Sequence, residues 1–323
     1  MAVIVRLKAP GGVDQLELLS ADLPPPGRGE IRLRQTAIGV NSIDIYQRMG
    51  LYALPSERIP GVEAVGVVAA LGAEVTCLEV GDRVAYAGAP IGAYASERNL
   101  PAWRGVKLPA GLPDETVATA FVKGVTADML LSRVFPVVRG TTILVHSAAG
   151  GLGQLLTRWA SAFGAVVIGT VGSPAKVEAA RAAGASHVIV GRDADFAAAV
   201  ADLTAGRGVD VAYDGVGGTT LQKTLACVRP FGVVASIGQS AGPIPLVDVH
   251  DLGPRRSLML ARPSVMAHMN DVDAYRRSAE RVLAAMADGV LQVSGKAYSL
   301  RDAALAQAEL EAGLTTGALY LRP

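Results

Sequence analysis

The sequence predicts an α/β protein in two parts, a doubly wound parallel sheet and a mostly β domain. Three observations carry that reading. First, beyond about Gly124, apolar strand-like runs at 142–146, 166–170, 187–190, 209–213, 233–237 and 257–261 alternate with Ala-rich helical patterns at 152–163, 174–183, 194–204 and 219–228. Strands that are apolar on both faces and joined by helical crossovers form a parallel sheet covered on both sides, with its ligand crevice at the carboxyl ends of the strands. Second, the first of these strands runs through Val145-His146-Ser147-Ala148-Ala149 into Gly150-Gly151-Leu152-Gly153, directly ahead of the first helix. A strand, a glycine turn and a helix in that order let backbone N–H groups close on a phosphate. Third, residues 1 to about 120 break into short β-type runs at 2–7, 30–38, 64–70 and 83–86, separated by turns such as Pro24-Pro25-Pro26-Gly27 and Gly81-Asp82, with no long helical period.

Composition agrees with this division. A chain of 323 residues is long for one core. Half of its residues are hydrophobic, chiefly Ala and Val, as a Val-rich sheet under Ala-rich helices requires. Net charge is +1 with no basic block, which argues against nucleic acid as the partner. Cys77 and Cys227 form no CxxC and read as buried thiols of a reduced cytoplasmic protein. Arg6 and Lys8 interrupt the N-terminal apolar run, so it is no signal peptide. The uncharged stretch 140–157 holds glycines, His146 and hydroxyls, which makes it a poor membrane span. After Pro263 an amphipathic segment at 272–287, a helix at 301–312 and a strand at 318–321 are expected to return to the first domain. The domains expected are therefore 1–123 with 265–323, and 124–264.

The residue types around the second strand select a nucleotide. A dinucleotide fold normally ends that strand in Asp or Glu, which holds the adenosine ribose hydroxyls. Here it ends in Val171-Gly172-Ser173, with Ser173 placed to cap a helix and Pro174 at its first position. Lys176 lies in the first turn, where the helix dipole disfavours a cation. A solvated surface lysine is the plain alternative. The missing acid instead favours the 2′-phosphate of NADPH, with Arg192 as a second clamp. Strand four ends at Asp214-Gly215-Val216-Gly217 and strand five at Ile237-Gly238-Gln239-Ser240, and both ends should flank the nicotinamide half. Asp214 reads as a structural acceptor of backbone N–H groups. Arg262-Pro263-Ser264 follows strand six and could close over the cofactor.

Several stretches carry a resemblance over nearly the whole length. They are Ala37-Ile38-Gly39-Val40-Asn41-Ser42-Ile43-Asp44, Arg48-Met49-Gly50-Leu51-Tyr52, Gly81-Asp82-Arg83-Val84, Lys123-Gly124-Val125-Thr126, Ala148-Ala149-Gly150-Gly151-Leu152-Gly153 and Ala261-Arg262-Pro263-Ser264. In these the chain resembles the zinc-free medium-chain dehydrogenase/reductases, specifically the NADPH:quinone oxidoreductases of the ζ-crystallin type. The resemblance implies a Rossmann domain inserted into a GroES-like domain, and commonly a homodimer. It puts Asn41, Ser42, Ile43, Tyr46 and Thr126 on the nicotinamide side. It gives Gly150, Gly151 and Leu152 to the pyrophosphate and Gly172, Ser173 and Lys176 to the 2′-phosphate. Residues Ile237, Gly238, Gln239 and Ser240, with Pro263, Ser264 and Val265, close on the nicotinamide half. Where zinc relatives carry a ligand Cys and a ligand His, this chain has Asn41 and Val62, and two cysteines cannot make a four-Cys lobe, so no metal is expected. The chain departs from the family at Gly191, where a Tyr is usual, at Asp128-Met129, where a Tyr pair is usual, and at Gly313, where an Arg is usual.

The reaction expected is hydride transfer from NADPH to a quinone or similar conjugated carbonyl. Asn41, Tyr46 and Tyr52 are the candidate donors or positioning groups, with plain packing the alternative for each tyrosine. Glu63 reads as a buried carboxylate paired with a base such as Arg83 or Arg262, and His146 as a satisfied core histidine. Two rivals are an enone or enoyl-thioester reductase, and an NADPH-binding structural or RNA-binding protein with little turnover.

Overall fold

Alternating inward apolar and outward polar residues make the N-terminal stretch a set of half-buried strands. In the computed structural model, which describes residues 1–254 and 256–323, β1 (Ala2–Leu7) pairs antiparallel with β2 (Leu16–Ala21). Antiparallel pairing also joins β3 (Glu30–Val40) to β4 (Glu63–Leu71), β4 to β5 (Arg83–Ala87), β3 to β6 (Glu97–Pro101), and β5 to β7 (Val106–Lys107). Ile31, Leu33, Ile38, Val84, Tyr86 and Leu100 form the core beneath them.

Two helices in this region have no counterpart in the sequence reading. α1 (Ser42–Arg48) is short, and only Ser42 of its residues is exposed. α2 (Asp114–Asp128) is fifteen residues long and continues into a π-helical turn at Met129–Val134. Both are buried on nearly every side, so neither shows the polar stripe by which a helix is recognised.

Six parallel strands follow: β8 (Thr142–Val145), β9 (Val166–Val171), β10 (His187–Val190), β11 (Val209–Asp214), β12 (Val228–Ser236) and β13 (Met259–Ala261). Their spatial order is β10-β9-β8-β11-β12-β13, the doubly wound Rossmann order. The crossovers carry α3 (Gly151–Ala162), α4 (Val177–Ala182), α5 (Phe196–Leu203) and α6 (Thr220–Ala226). Leu144, Ile168, Val200, Ala212, Leu225 and Val234 pack between sheet and helices.

The C-terminal part holds α7 (Val265–Asn270), α8 (Val272–Ala287), β14 (Gly295–Ser299), α9 (Ala303–Glu311) and β15 (Ala318–Arg322). β15 pairs with β3 and β14, completing the first sheet. The chain accordingly divides into Met1–Val125 with Met266–Pro323, and Thr126–Val265. Gly313, where the family pattern has Arg, ends α9 with φ +67°, a conformation that favours glycine. Among the described residues no helix is long and apolar enough to cross a membrane. Cys77 corrects an expectation: it is exposed, and only Cys227 is buried.

Candidate functional site

The turn after β8 is tighter than its glycines alone would suggest. Ser147, at φ +54°, makes the left-handed step, and Gly150 then caps α3. A Cβ on Gly153 would stand 2.2 Å from the Ser147 carbonyl oxygen, so only glycine lets the first turn of α3 press against the loop. Gly151 and Leu152 are the first two residues of α3, whose opening N–H groups have no carbonyl within the helix to receive them. The three residues assigned to a pyrophosphate therefore sit together at one helix N-terminus.

At the end of β9, Ser173 holds the N-cap position with Pro174 next, but the turn they open is a 3-10 turn, Pro174–Lys176, and the Ser173 hydroxyl makes no capping bond. Arg192 lies against Gly172, whose added Cβ would meet the Arg192 Cγ and Nε at 3.5 Å. The Lys176 ammonium is pushed below the ordinary lysine range, first by partial burial and then by the Arg192 charge. Two cations are thus held close enough to repel, beside a strand end without a carboxylate. Gly191, the departure from the family's Tyr, has φ +120°, a backbone that disfavours any side chain there.

The other strand ends lock onto one another. Asp214 accepts N–H groups from Val216 at 2.8 Å and Gly217 at 2.9 Å, the structural role expected of it. A Cβ on Gly238 would stand 2.6 Å from the Gly215 carbonyl oxygen, and Ser240 N–H reaches that oxygen at 3.3 Å. Arg262 donates to the Ser236 hydroxyl at 2.8 Å and to the Gly238 carbonyl at 3.4 Å, which ties Pro263, Ser264 and Val265 to the end of β12. Val216, Ile237, Gly238, Gln239 and Ser240 thus converge with that segment at the carboxyl edge of one sheet. His146 is a core histidine as expected: its ring bonds Thr170 Oγ1 at 3.0 Å and Thr224 Oγ1 at 2.9 Å. Burial holds its imidazole below the usual range. Thr126 lies on α2, half-buried.

In the first unit, Asn41, Ser42 and Ile43 stand at the start of α1, where Asn41 is the N-cap in a capping box with Asp44. The Asn41 N–H donates to Asp44 Oδ2 at 2.9 Å. Its side-chain Nδ2 donates to Glu63 Oε1, also at 2.9 Å. Tyr46 is buried and meets Tyr52 edge-on, ring centroids 5.7 Å apart, while Tyr52 is 41% exposed. Asp44 is fully enclosed and accepts the Tyr94 hydroxyl at 3.0 Å. Burial, more than any other cause, pushes its carboxyl up to about 7.

Glu63 corrects the sequence reading. It is buried, but its base is Lys123 at 3.4 Å; Arg83 pairs with Asp114, and Arg262 lies on the Ser236 segment. Val122 N–H donates to the second Glu63 oxygen at 2.8 Å. Gly39 leaves the room this carboxylate needs, since a Cβ there would stand 2.1 Å from Glu63 Oε1. Lys123 lies in the quoted Lys-Gly-Val-Thr motif, yet nothing in its spacing names Glu63, sixty residues earlier, as its partner. Among the described residues no group of three or more His, Cys, Asp or Glu is placed to hold a metal ion.

Residues 27–110 match the family model described as alcohol dehydrogenase GroES-like domain, and residues 151–287 that described as zinc-binding dehydrogenase. A 2-haloacrylate reductase from a Burkholderia species is 40% identical, with 100% of this chain and 99% of that protein covered. A quinone oxidoreductase from Pseudomonas aeruginosa is 38% identical with both chains wholly covered. The crystal structure of Escherichia coli quinone oxidoreductase complexed with NADPH superposes with a TM-score of 0.96 at 35% identity, covering 100% of each chain.

Proposed function

Because the chain belongs to the quinone oxidoreductase family of the medium-chain dehydrogenase/reductases, we propose that it transfers a hydride from NADPH to a quinone or related conjugated carbonyl, without zinc. The observation that carries the choice of NADPH is the pairing of Lys176 with Arg192 beside Gly172, where no carboxylate ends the strand. A ribose hydroxyl has no use for two cations, whereas a 2′-phosphate offsets their repulsion and accepts their hydrogen bonds. Gly150, Gly151 and Leu152 are assigned the pyrophosphate, for which the tight approach at Gly153 clears the backbone. Val216, Ile237, Gly238, Gln239, Ser240, Pro263, Ser264 and Val265 are assigned the nicotinamide half, with Ser42, Ile43 and Thr126.

Bound there, NADPH supplies the hydride. The protein's share is to hold the acceptor in line and to keep water out. Asn41 offers a donor fixed in direction, since Glu63 already holds its amide. Tyr46, packed against Tyr52, shapes the acceptor side, and the half-exposed Tyr52 has its hydroxyl to give. The product oxygen resembles a phenolate, whose conjugate acid has a pKa of about 10, so water protonates it near neutrality and no dedicated acid is required. We further infer a cytoplasmic homodimer.

Reduction of a conjugated C=C bond is a second reading, favoured by the 40% identity to a 2-haloacrylate reductase. The deciding experiment follows NADPH consumption against benzoquinones, naphthoquinones, enones, 2-haloacrylates and enoyl thioesters. Saturation by quinones upholds the first reading, and turnover confined to an enone, haloacrylate or enoyl thioester replaces it with the second. Binding of NADPH without consumption by any acceptor would overturn both.

A further inference from the structure

We propose that Glu63 is a positioning residue for the reaction, fixing the Asn41 amide from one side while Lys123 balances its charge. The inference rests on the assignment of Asn41 to the acceptor side. Glu63 opens β4 and is 1% exposed. Its Oε1 accepts from Asn41 Nδ2 at 2.9 Å and from Lys123 Nζ at 3.4 Å, and its Oε2 accepts from Val122 N–H at 2.8 Å. Every one of these partners is a donor, on both carboxylate oxygens. A glutamine in the same place has one acceptor oxygen and one NH₂, so it leaves a donor facing a donor.

The Asn41 backbone is fixed as well, since its N–H donates to Asp44 Oδ2 and its carbonyl accepts the Asp44 N–H at the start of α1. A free asparagine rotates broadly about its last torsion, with two nearly equivalent amide orientations. Carried on that fixed backbone and bonded to Glu63 on β4, this amide keeps one orientation, with one N–H committed to the carboxylate. The second N–H then has a defined direction, which a donor to a reacting carbonyl must have. Lys123 also reaches the Val40 carbonyl at 3.4 Å, so the ammonium spans the end of β3 and the carboxylate. The arrangement is built into the backbone: a Cβ on Gly39 would stand 2.1 Å from Glu63 Oε1 and 2.4 Å from the Ala118 carbonyl oxygen.

The test is a double-mutant cycle on the full chain with NADPH and the best quinone from the acceptor panel. Misplacement of a reacting group by about 1 Å can cost about a hundredfold, so Glu63→Gln is expected to lower kcat between about tenfold and a hundredfold. NADPH affinity, assigned chiefly to the Gly150 turn and to Lys176 with Arg192, should stay within about twofold. Asn41→Ala should lower kcat on the same scale. If Glu63 acts through Asn41, Glu63→Gln made in the Asn41→Ala protein changes kcat by less than about twofold. Losses that multiply would overturn the proposal and leave the assignment of Asn41 standing. An Asn41→Ala protein of undiminished kcat would overturn both, and so locate the failure in that assignment. Should Glu63→Gln fail to fold, Glu63→Gln with Lys123→Met removes the ion pair as a unit. The same comparison, with and without Asn41→Ala, then decides in that background.

Discussion

Replacing Asp44 with asparagine should remove a steep pH dependence of stability. Burial pushes the Asp44 carboxyl from 3.8 to about 7; the Asn41 N–H and the Tyr94 hydroxyl oppose the shift and the Glu63 charge adds to it. The folded chain therefore keeps a proton that the unfolded chain releases, so stability present below about pH 4 is lost as pH rises towards about 7. A shift of about three units is worth about 4 kcal/mol, because each unit contributes about 1.4 kcal/mol. Asparagine keeps an oxygen for Asn41 N–H and Tyr94 but does not titrate. Its loss of charge near the start of α1 costs only about 0.3–1 kcal/mol, too little to mask the effect. Urea unfolding of both proteins at pH 5 and pH 8 measures it, since titrations elsewhere cancel in the difference. The stability difference should move in favour of the asparagine protein by about 3 kcal/mol across that interval. Stability curves that run parallel from pH 5 to pH 8 would refute the reasoning.

Lys176→Glu should weaken NADPH binding by about tenfold or more, as loss of a charge-assisted hydrogen bond does, while NADH affinity changes far less. Fluorescence titration with both cofactors checks this, and equal losses would remove the 2′-phosphate assignment. Gly153→Ala drives a methyl into the Ser147 carbonyl; it should cost about 1–3 kcal/mol of stability and weaken both cofactors alike, as thermal melts with and without each cofactor would reveal. Burial lowers the His146 imidazole, so it contributes stability above the ordinary imidazole range that is lost as pH falls through it. His146→Gln should therefore flatten the acid limb of the stability profile, and an unchanged limb in urea titrations would discount the histidine.

Periodic burial made the parallel sheet legible. Strands such as Val209–Asp214, buried at every position in the middle of the sheet, are apolar in the way that only a sheet covered on both faces explains. α1 and α2 stayed hidden for the opposite reason, since a helix enclosed on all sides has no polar face to read. In the candidate site, glycine spacing and the absent carboxylate pointed to Gly150 and Lys176 because both rest on local chain geometry. The partner of Glu63 is not legible in the sequence, because Lys123 reaches it from α2 and the carboxylate's choice among Arg83, Arg262 and Lys123 is made by tertiary packing. The left-handed step of the turn belongs to Ser147 and to none of its glycines.

Gly39 is a point that the strand cannot give up. With a Cβ at position 39 standing 2.1 Å from Glu63 Oε1 and 2.4 Å from the Ala118 carbonyl oxygen, a side chain there would have to displace both the carboxylate and the backbone of α2. A randomised library at positions 39 and 63, selected for quinone reduction, should therefore return glycine at 39 whether or not it keeps Glu63. The strand floor at position 39 thus leaves residue 63 free to vary above a backbone that is not.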